Sequence, residues 1–433
     1  MSGEKLKELG LKRWLIDQCI AMGITDPTPV QCNCIPKILE GKNCIGISQT
    51  GTGKTLAFAL PMLQKLGEDA YGIFGLVLTP TRELAIQIAE QFQVIGQPMN
   101  IQVTTIIGGM NQVTQGGEIS NQPHIVVATP GRLADMMDSS YDTFFKRIAF
   151  LVMDEADRLL GGQFTDQLDT ILKALPKKRQ NLIFSATLTK NLEVLQQIAT
   201  TEPFIWSAEP EVSTVKELNQ KYVLVPHAIV RNAHLVQVVD DFQTKHPESS
   251  MIIFTKNCAV CQTMSVALKS LGFENVSLNS RLKQKERLAA ISQFKSNRTK
   301  VLVATDVASR GLDIPMVDLV INFSVPPVPT DYIHRVGRTA RAGRGGLAIT
   351  LLTPRDVPAI QAIEKEINCK LSEYPISEKK VLAITLQVEV AFREAAISLE
   401  DDDANEKKQI YQKKQSVLDG HSSKSHKKRK HNK

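Results

Sequence analysis

With 433 residues, 42% of them hydrophobic, the chain has enough apolar material for two cores of ordinary domain size. No apolar run approaches the roughly 18 residues of a membrane helix, and the first twenty residues lack the apolar segment of a secretory signal, so the expectation is a soluble intracellular protein with no membrane partner. Six of the positive charges behind the formal +7 fall after His421 with no acid among them, leaving the body nearly neutral. A polyanion held by the body must therefore meet a local line of donors, whereas the tail can attract nucleic acid non-specifically or simply be a solvated end. The seven cysteines are scattered, and Cys258-Ala-Val-Cys261 has no second pair at a zinc-like distance, which favours structural thiols.

In chain order, short β-branched runs alternate with helical stretches: Cys44-Ile-Gly-Ile47, Gly75-Leu-Val-Leu78, Ile125-Val-Val-Ala128, Phe150-Leu-Val-Met153 and Leu182-Ile-Phe184. Continuous apolar strands separated by helices predict an α/β fold whose sheet is mainly parallel and covered on both faces. A second series follows at Met251-Ile-Ile-Phe254, Lys300-Val-Leu-Val-Ala304, Leu319-Val-Ile-Asn-Phe323 and Ala348-Ile-Thr-Leu-Leu352, without sequence repetition. Between the two series a polar stretch with Pro203 and Pro210 reads as a linker, placed at 206–220. The expected organisation is a first domain over 1–205, a second over 221–370, and an appendage over 371–433. That appendage contains an amphipathic stretch, the acidic Glu400-Asp-Asp-Asp403, and a basic, partly disordered tail.

Ser48-Gln-Thr-Gly-Thr-Gly-Lys-Thr55 follows the first strand and opens a helix near Lys54, so backbone N–H groups and the helix dipole converge on one point. In such a loop Lys54 neutralises phosphate charge and the Thr55 hydroxyl holds Mg²⁺; the strict pattern wants Gly where this chain has Ser48, which weakens the bare match. Asp154-Glu155 follows another strand, at the carboxyl edge where open α/β sheets bind ligands. Asp154 is expected to hold Mg²⁺ through water and Glu155 to orient and deprotonate the attacking water. A solvated acidic turn is the ordinary alternative for an isolated Asp-Glu, and it loses force with a phosphate cradle upstream. Farther along, His334-Arg-Val-Gly-Arg-Thr-Ala-Arg341 sets Arg338 and Arg341 three apart, able to grip one phosphate as arginine fingers or to form a basic solvated helix face.

These segments, with Pro27-Thr-Pro-Val-Gln31, Pro80-Thr-Arg-Glu-Leu-Ala85, Gly108-Gly109, Thr129-Pro-Gly-Arg132, Asp154-Glu-Ala-Asp157, Ser185-Ala-Thr187, Gln284-Lys-Glu-Arg287 and Ala304-Thr-Asp-Val-Ala-Ser-Arg-Gly-Leu-Asp313, resemble the DEAD-box ATP-dependent RNA helicases. The resemblance covers about residues 10 to 370 and implies two tandem RecA-like P-loop domains using ATP and Mg²⁺. It implies that Gln31 reads the adenine edge and Trp14 stacks on the base, with core packing as the alternative for Trp14. Thr50, Gly51, Thr52, Gly53, Lys54 and Thr55 would cradle the phosphates, and Asp313 would touch the ribose from the second domain. Asp157, Ser185, Thr187 and His334 would couple nucleotide state to domain closure. Pro80, Thr81, Arg82, Gly108, Gly109, Thr129 and Arg132, with Arg287, Thr305 and Arg310, would hold the RNA backbone without reading its sequence.

Three positions depart from the family pattern: Asn279-Ser280 where relatives often have His, Ala340 where Gly is common, and Ser48 where Ala is frequent. None removes a charge or donor that hydrolysis requires. Within the family, the run over 72–92, Leu151-Val-Met-Asp-Glu-Ala-Asp-Arg-Leu-Leu160 and Lys283-Gln-Lys-Glu-Arg287 resemble the small nucleolar branch that processes small-subunit ribosomal RNA. That likeness implies a nuclear, nucleolar protein, a pre-ribosomal RNA partner and ribosome-assembly factors or a protein activator, with Lys427-Lys-Arg-Lys430 as a nuclear address and a monomer as the default state. The competing expectations are a nucleotide-gated RNA clamp with little unwinding, and a DNA translocase on the same fold.

Overall fold

The computed structural model describes residues 4–48, 51–69, 71–186, 202–208, 218–306, 314–339 and 346–401, apart from the side chain of residue 140. The chain divides into two compact units, 1–211 with 310–314 and 212–309 with 315–433. In the first, the strands are β1 (Cys44–Ile47), β2 (Gly75–Leu78), β3 (Val103–Ile106), β4 (Ile125–Ala128), β5 (Phe150–Met153), β6 (Gln180–Ser185) and β7 (Phe204–Ser207), in the order β3-β4-β2-β5-β6-β1-β7. In the second they are β8 (Leu218–Leu224), β9 (Met251–Thr255), β10 (Asn275–Leu278), β11 (Val301–Thr305), β12 (Leu319–Asn322), β13 (Gly346–Leu352) and β14 (Ser372–Glu373), in the order β10-β11-β9-β12-β13-β8-β14. The two orders are the same permutation. Every strand pairing among the described residues is parallel.

Alternation along the strands builds two cores on the first sheet. Cys44, Val77, Val127, Val152, Leu182 and Phe184 pack on one face with the helices Pro29–Leu39, Lys54–Leu66 and Arg82–Ile95. Ile45, Ile47, Leu76, Leu78, Val126, Leu151 and Met153 pack on the other. A strand buried on both faces has no polar side to show, which is why these runs are continuously apolar. In the second unit Val223, Met251, Ile253, Val301, Val303, Leu319 and Ile321 form the corresponding core.

The architecture is the expected one, with three differences. β3, β7, β8, β10 and β14 escaped the reading because their burial is mixed or broken, as at Val103–Ile106 and Phe204–Ser207. Both ends of the stretch read as a linker lie in strands: β7 runs to Ser207 beside β1, and β8 starts at Leu218 beside β13. Lastly, the second unit continues past residue 370, where an appendage was expected. β14 pairs with β8, and a helix over 378–401 buries Val388, Phe392 and Ala395 in the second core, because its amphipathic stripe matches an uncovered face of the sheet. Among the described residues no helix is long and apolar enough to cross a membrane.

Candidate functional site

Parallel strands bring their carboxyl ends to one edge, and in the first sheet that edge carries two groups of predicted residues. Around β1, β5 and β6 stands the first group. Ser48 N donates to Ser185 O at 3.0 Å, so the loop leaving β1 is tied to the end of β6. The loop then turns through Gly51 at φ +78° and Gly53 at φ +86°, left-handed values that glycine adopts without strain. A Cβ at Gly53 would lie 2.4 Å from Gln31 Nε2. Ser48 Oγ and Thr52 Oγ1 are 2.8 Å apart, so the departure at position 48 adds a bond across the loop.

Lys54 is buried, and its Nζ donates to Ser48 O at 2.6 Å and to Ser185 O at 3.4 Å. Burial pulls its pKa below the ordinary lysine range, while Asp154, Glu155 and Asp157 pull the other way. Asp154 is buried as well, and burial pushes its pKa up to about 6 against the attraction of Lys54. Asp154 N donates to Leu78 O at 2.9 Å, and its carboxylate accepts from Glu155 N at 3.0 Å. Glu155 sits at φ 52°, ψ 48°, a left-handed conformation that is costly for a side-chain-bearing residue and that clusters at functional sites. Arg158 Nη1 meets Glu155 Oε2 at 3.0 Å. The edge thus concentrates one buried cation and two buried carboxylates beside a loop of backbone N–H groups.

Gln31 is buried at the start of the helix Pro29–Leu39, where its Oε1 accepts from Thr28 N and its Nε2 donates to Gly53 O, both at 3.0 Å. The amide therefore ties the segment before this helix to the glycine loop. Trp14, on the helix Arg13–Ala21, is half-buried against the first core. Thr55 is half-buried at the second position of the helix Lys54–Leu66, and Asp157 Oδ1 accepts from Arg158 N.

Around β2, β3 and β4 stands the second group. Thr81 caps the helix Arg82–Ile95 by accepting from Leu84 N. The Arg82 guanidinium lies across the loop after β3: a Cβ at Gly108 would be 2.8 Å from Arg82 Nη2, and one at Gly109, where φ is +83°, 2.5 Å from Nη1. Arg132 Nη1 donates to Met110 O at 3.0 Å in the same loop. Thr129 N donates to Ile106 O at 3.0 Å, and Thr79 N to Ala128 O at 3.0 Å, so Pro80, Gly108 and Thr129 leave the sheet side by side.

In the second unit Thr305 ends β11, buried, and its Oγ1 has no hydrogen-bond partner among the described residues. Arg287 is buried in the helix Gln284–Lys295, while His334 closes the helix Pro329–Val336 and Arg338 follows it. Thr50, Thr187, Arg310, Asp313 and Arg341 lie outside the described residues.

Two positioning arrangements escaped the sequence reading. Arg335 is buried and grips Asp306 through two 2.6 Å bonds, donates to Ser324 O at 2.6 Å, and lies 5.3 Å from the Phe254 ring centre. The spacing of Arg338 and Arg341 draws attention in the sequence, but only the fold shows that Arg335 pairs with Asp306. Gln115 accepts from Ile107 N and donates to Ile107 O, both at 3.0 Å, bracing the loop just before Gly108. A glutamine in a polar helix carries no signal for that role.

Residues 28–195 match the DEAD/DEAH box helicase family, and residues 231–343 match the helicase conserved C-terminal domain family. The chain is 54% identical over 416 residues to the probable ATP-dependent RNA helicase DDX49 of Homo sapiens, covering 95% of this chain and 86% of that one. It belongs to the DEAD-box family of ATP-dependent RNA helicases. This DEAD-box helicase is also 44% identical to the ATP-dependent RNA helicase dbp8 of Schizosaccharomyces pombe, over 97% of its own length and 95% of the relative's. Its fold is shared with S. cerevisiae Dbp5 bound to RNA and ADP BeF3, at a TM-score of 0.76, 29% identity and coverage of 90% of this chain and 99% of that one. A Dbp5 variant solved with a Gle1 variant and IP6 gives a TM-score of 0.69 at 28% identity, covering 90% of this chain and 99% of that one.

Proposed function

We propose that this DEAD-box helicase binds ATP at the end of β1 and RNA at the ends of β2, β3 and β4, and couples the two by closing its units around both. The observation that carries the reading is the buried set of Lys54, Asp154 and Glu155 around the glycine loop. Lys54, now bonded to two carbonyls, exchanges them for phosphate oxygens, and Thr50, Gly51, Thr52 and Gly53 supply backbone donors. Gln31 contacts the adenine edge while still bracing Gly53, and Trp14 offers its half-exposed face to the base. Glu155 takes the proton of the attacking water. The donor set also fits Mg²⁺, since Asp154 and Thr55 present hard oxygens and the Asp154 carboxyl is buried among few compensating charges. An ion held by Asp154 and Thr55 would neutralise charge developing on the phosphates.

Arg338 and Arg341 of the second unit act as fingers, Asp313 contacts the ribose, and His334 with Asp157, Ser185 and Thr187 relays nucleotide state. Arg82, Thr129, Arg132, Arg287, Thr305 and Arg310 hold a strand by phosphate and sugar, joined by Pro80, Thr81, Gly108 and Gly109. Clamping bends the strand and releases a short duplex; hydrolysis resets the clamp. The substrate class we infer is pre-ribosomal RNA in the nucleolus, supported by the runs at 72–92, 151–160 and 283–287. An activating protein partner is supported by the Dbp5 relative solved with a Gle1 variant.

The test is ATP turnover by wild type and Glu155→Gln, each alone, with single-stranded RNA and with matched DNA. RNA-dependent turnover that vanishes in Glu155→Gln is the expected result. Equal stimulation by DNA would remove RNA from the assignment, and no turnover under any condition would favour a clamp or a partner-dependent enzyme.

A further inference from the structure

Because the two sheets share one strand order, positions on their edges correspond. In the first unit the residues after β2 and β3 meet as Arg82 on Gly108 and Gly109. In the second, those after β9 and β10 meet as Cys258 on Ser280, with Cys258 Sγ 3.1 Å from Ser280 Oγ. Cys258 is the first residue of the helix Cys258–Ser270, whose cap is the Asn257 side chain accepting from Val260 N. A thiol there faces the positive end of the helix. In the same turn Arg281 N donates to Asn279 Oδ1 at 3.0 Å.

Cys258 is partly exposed; Cys261, one turn on, is buried and donates to Val303 O at 3.3 Å. Helical geometry puts Cα atoms three residues apart at about 5 Å, inside the span a disulfide tolerates. Their Cβ atoms start slightly too far apart for the bond, but the first turn can tighten because the Cys258 N–H has no intrahelical partner to lose.

We propose that Cys258 and Cys261 form a peroxide-sensitive dithiol in which Cys258 reacts and Cys261 resolves. The Cys258 thiolate attacks one oxygen of hydrogen peroxide, the O–O bond breaks, and the leaving hydroxide is protonated to water, giving a sulfenic acid. The Cys261 sulfur then attacks the Cys258 sulfur; the S–O bond breaks, and hydroxide leaves with the Cys261 thiol proton as a second water. Two thiols are oxidised to one disulfide while one peroxide is reduced to two waters. Division of labour follows from the surroundings. Burial raises the Cys258 thiol, but the Ser280 hydroxyl, the Ser280 and Arg281 backbone groups and the Arg281 charge together bring it below the ordinary range. Burial pushes Cys261 up to about 11, so it stays protonated until it is called on.

The disulfide replaces the sulfur's bond to Ser280, which stands four residues before the helix carrying Arg287. Oxidation therefore loosens the turn that leads into that helix and weakens RNA binding. This last consequence rests on the RNA reading above; the thiol chemistry does not.

The experiment uses the full chain, an alkylating reagent, hydrogen peroxide and peptide mass spectrometry. At pH 7 Cys258 is expected to alkylate roughly tenfold faster than the exposed Cys32 and Cys369. Peroxide is expected to link Cys258 to Cys261 reversibly with dithiothreitol, and to leave a trappable sulfenic acid on Cys258 in Cys261→Ser. Ser280→Ala should slow Cys258 labelling without touching either sulfur. Labelling of Cys32 or Cys369 as fast as Cys258, or peroxide products without the Cys258–Cys261 link, would overturn the dithiol. RNA affinity falling on oxidation of wild type but not of Cys258→Ser supports the coupling; an unchanged affinity with the link formed overturns the coupling alone.

Discussion

The two sheets are built on one permutation of strands, yet their carboxyl edges have different chemistry. At the end of β1 the first carries a glycine turn and a buried lysine; the matching strand of the second, β8, ends at Leu224 and leads through Val225-Pro-His227 into a 3₁₀ turn. At the end of β5 stand Asp154 and Glu155, whereas the matching β12 gives way to Phe323 and Ser324. The second unit instead invests its charge in the Arg335–Asp306 pair. Fold alone therefore decides where a ligand can sit, and loop residues decide which ligand it is.

The widest gap between the edges should open with Glu155→Gln, which we expect to cut RNA-stimulated ATP turnover by about 10² to 10⁴ while ATP still binds. Turnover close to wild type would assign the base elsewhere. Next comes Arg335→Met, which strips the partly buried Asp306 carboxylate of its guanidinium. A loss of about 3 kcal/mol in chemical unfolding of the second unit is expected, with the first unit's transition unmoved. If both transitions moved together, the units would not be energetically separate.

Gly53→Ala puts a Cβ against Gln31 at a left-handed position, and should cost about 1–3 kcal/mol, read as a lower thermal midpoint and weaker ATP binding. Gly109→Ala makes the same test on the proposed RNA side of the first edge, where Arg82 must shift. Weakening of RNA binding by about tenfold, at unchanged ATP affinity, would separate the two groups on that edge. The smallest effect belongs to Ser48→Ala, which removes the bond to Thr52 and restores the residue frequent in relatives. A change in ATP affinity within about 1 kcal/mol is expected, and a larger one would make that bond part of the nucleotide site.

Most of the sheet was legible because strands buried on both faces are written as uninterrupted apolar runs, as at Ile125–Ala128 and Phe150–Met153. Edge and half-exposed strands such as Val103–Ile106 were not, since one polar face breaks the run. The amphipathic stretch after residue 371 was visible as a pattern, but which sheet its stripe covers is a long-range fact.

For the site, the sequence by itself determined which groups stand at the strand ends: a glycine loop with Lys54 and Thr55, the Asp154-Glu155 pair, and a line of arginines and glycines. Local spacing suffices there, because phosphate cradles and strand-end carboxylates are made by neighbours in the chain. Only the tertiary structure decided that Lys54 reaches Ser185, that Gln31 braces Gly53, that Gln115 holds the turn before Gly108, and that Arg335 pairs with Asp306. Apart from the local Gln115–Ile107 pair, those contacts join residues far apart in the chain, and they exist because the fold brings distant segments together.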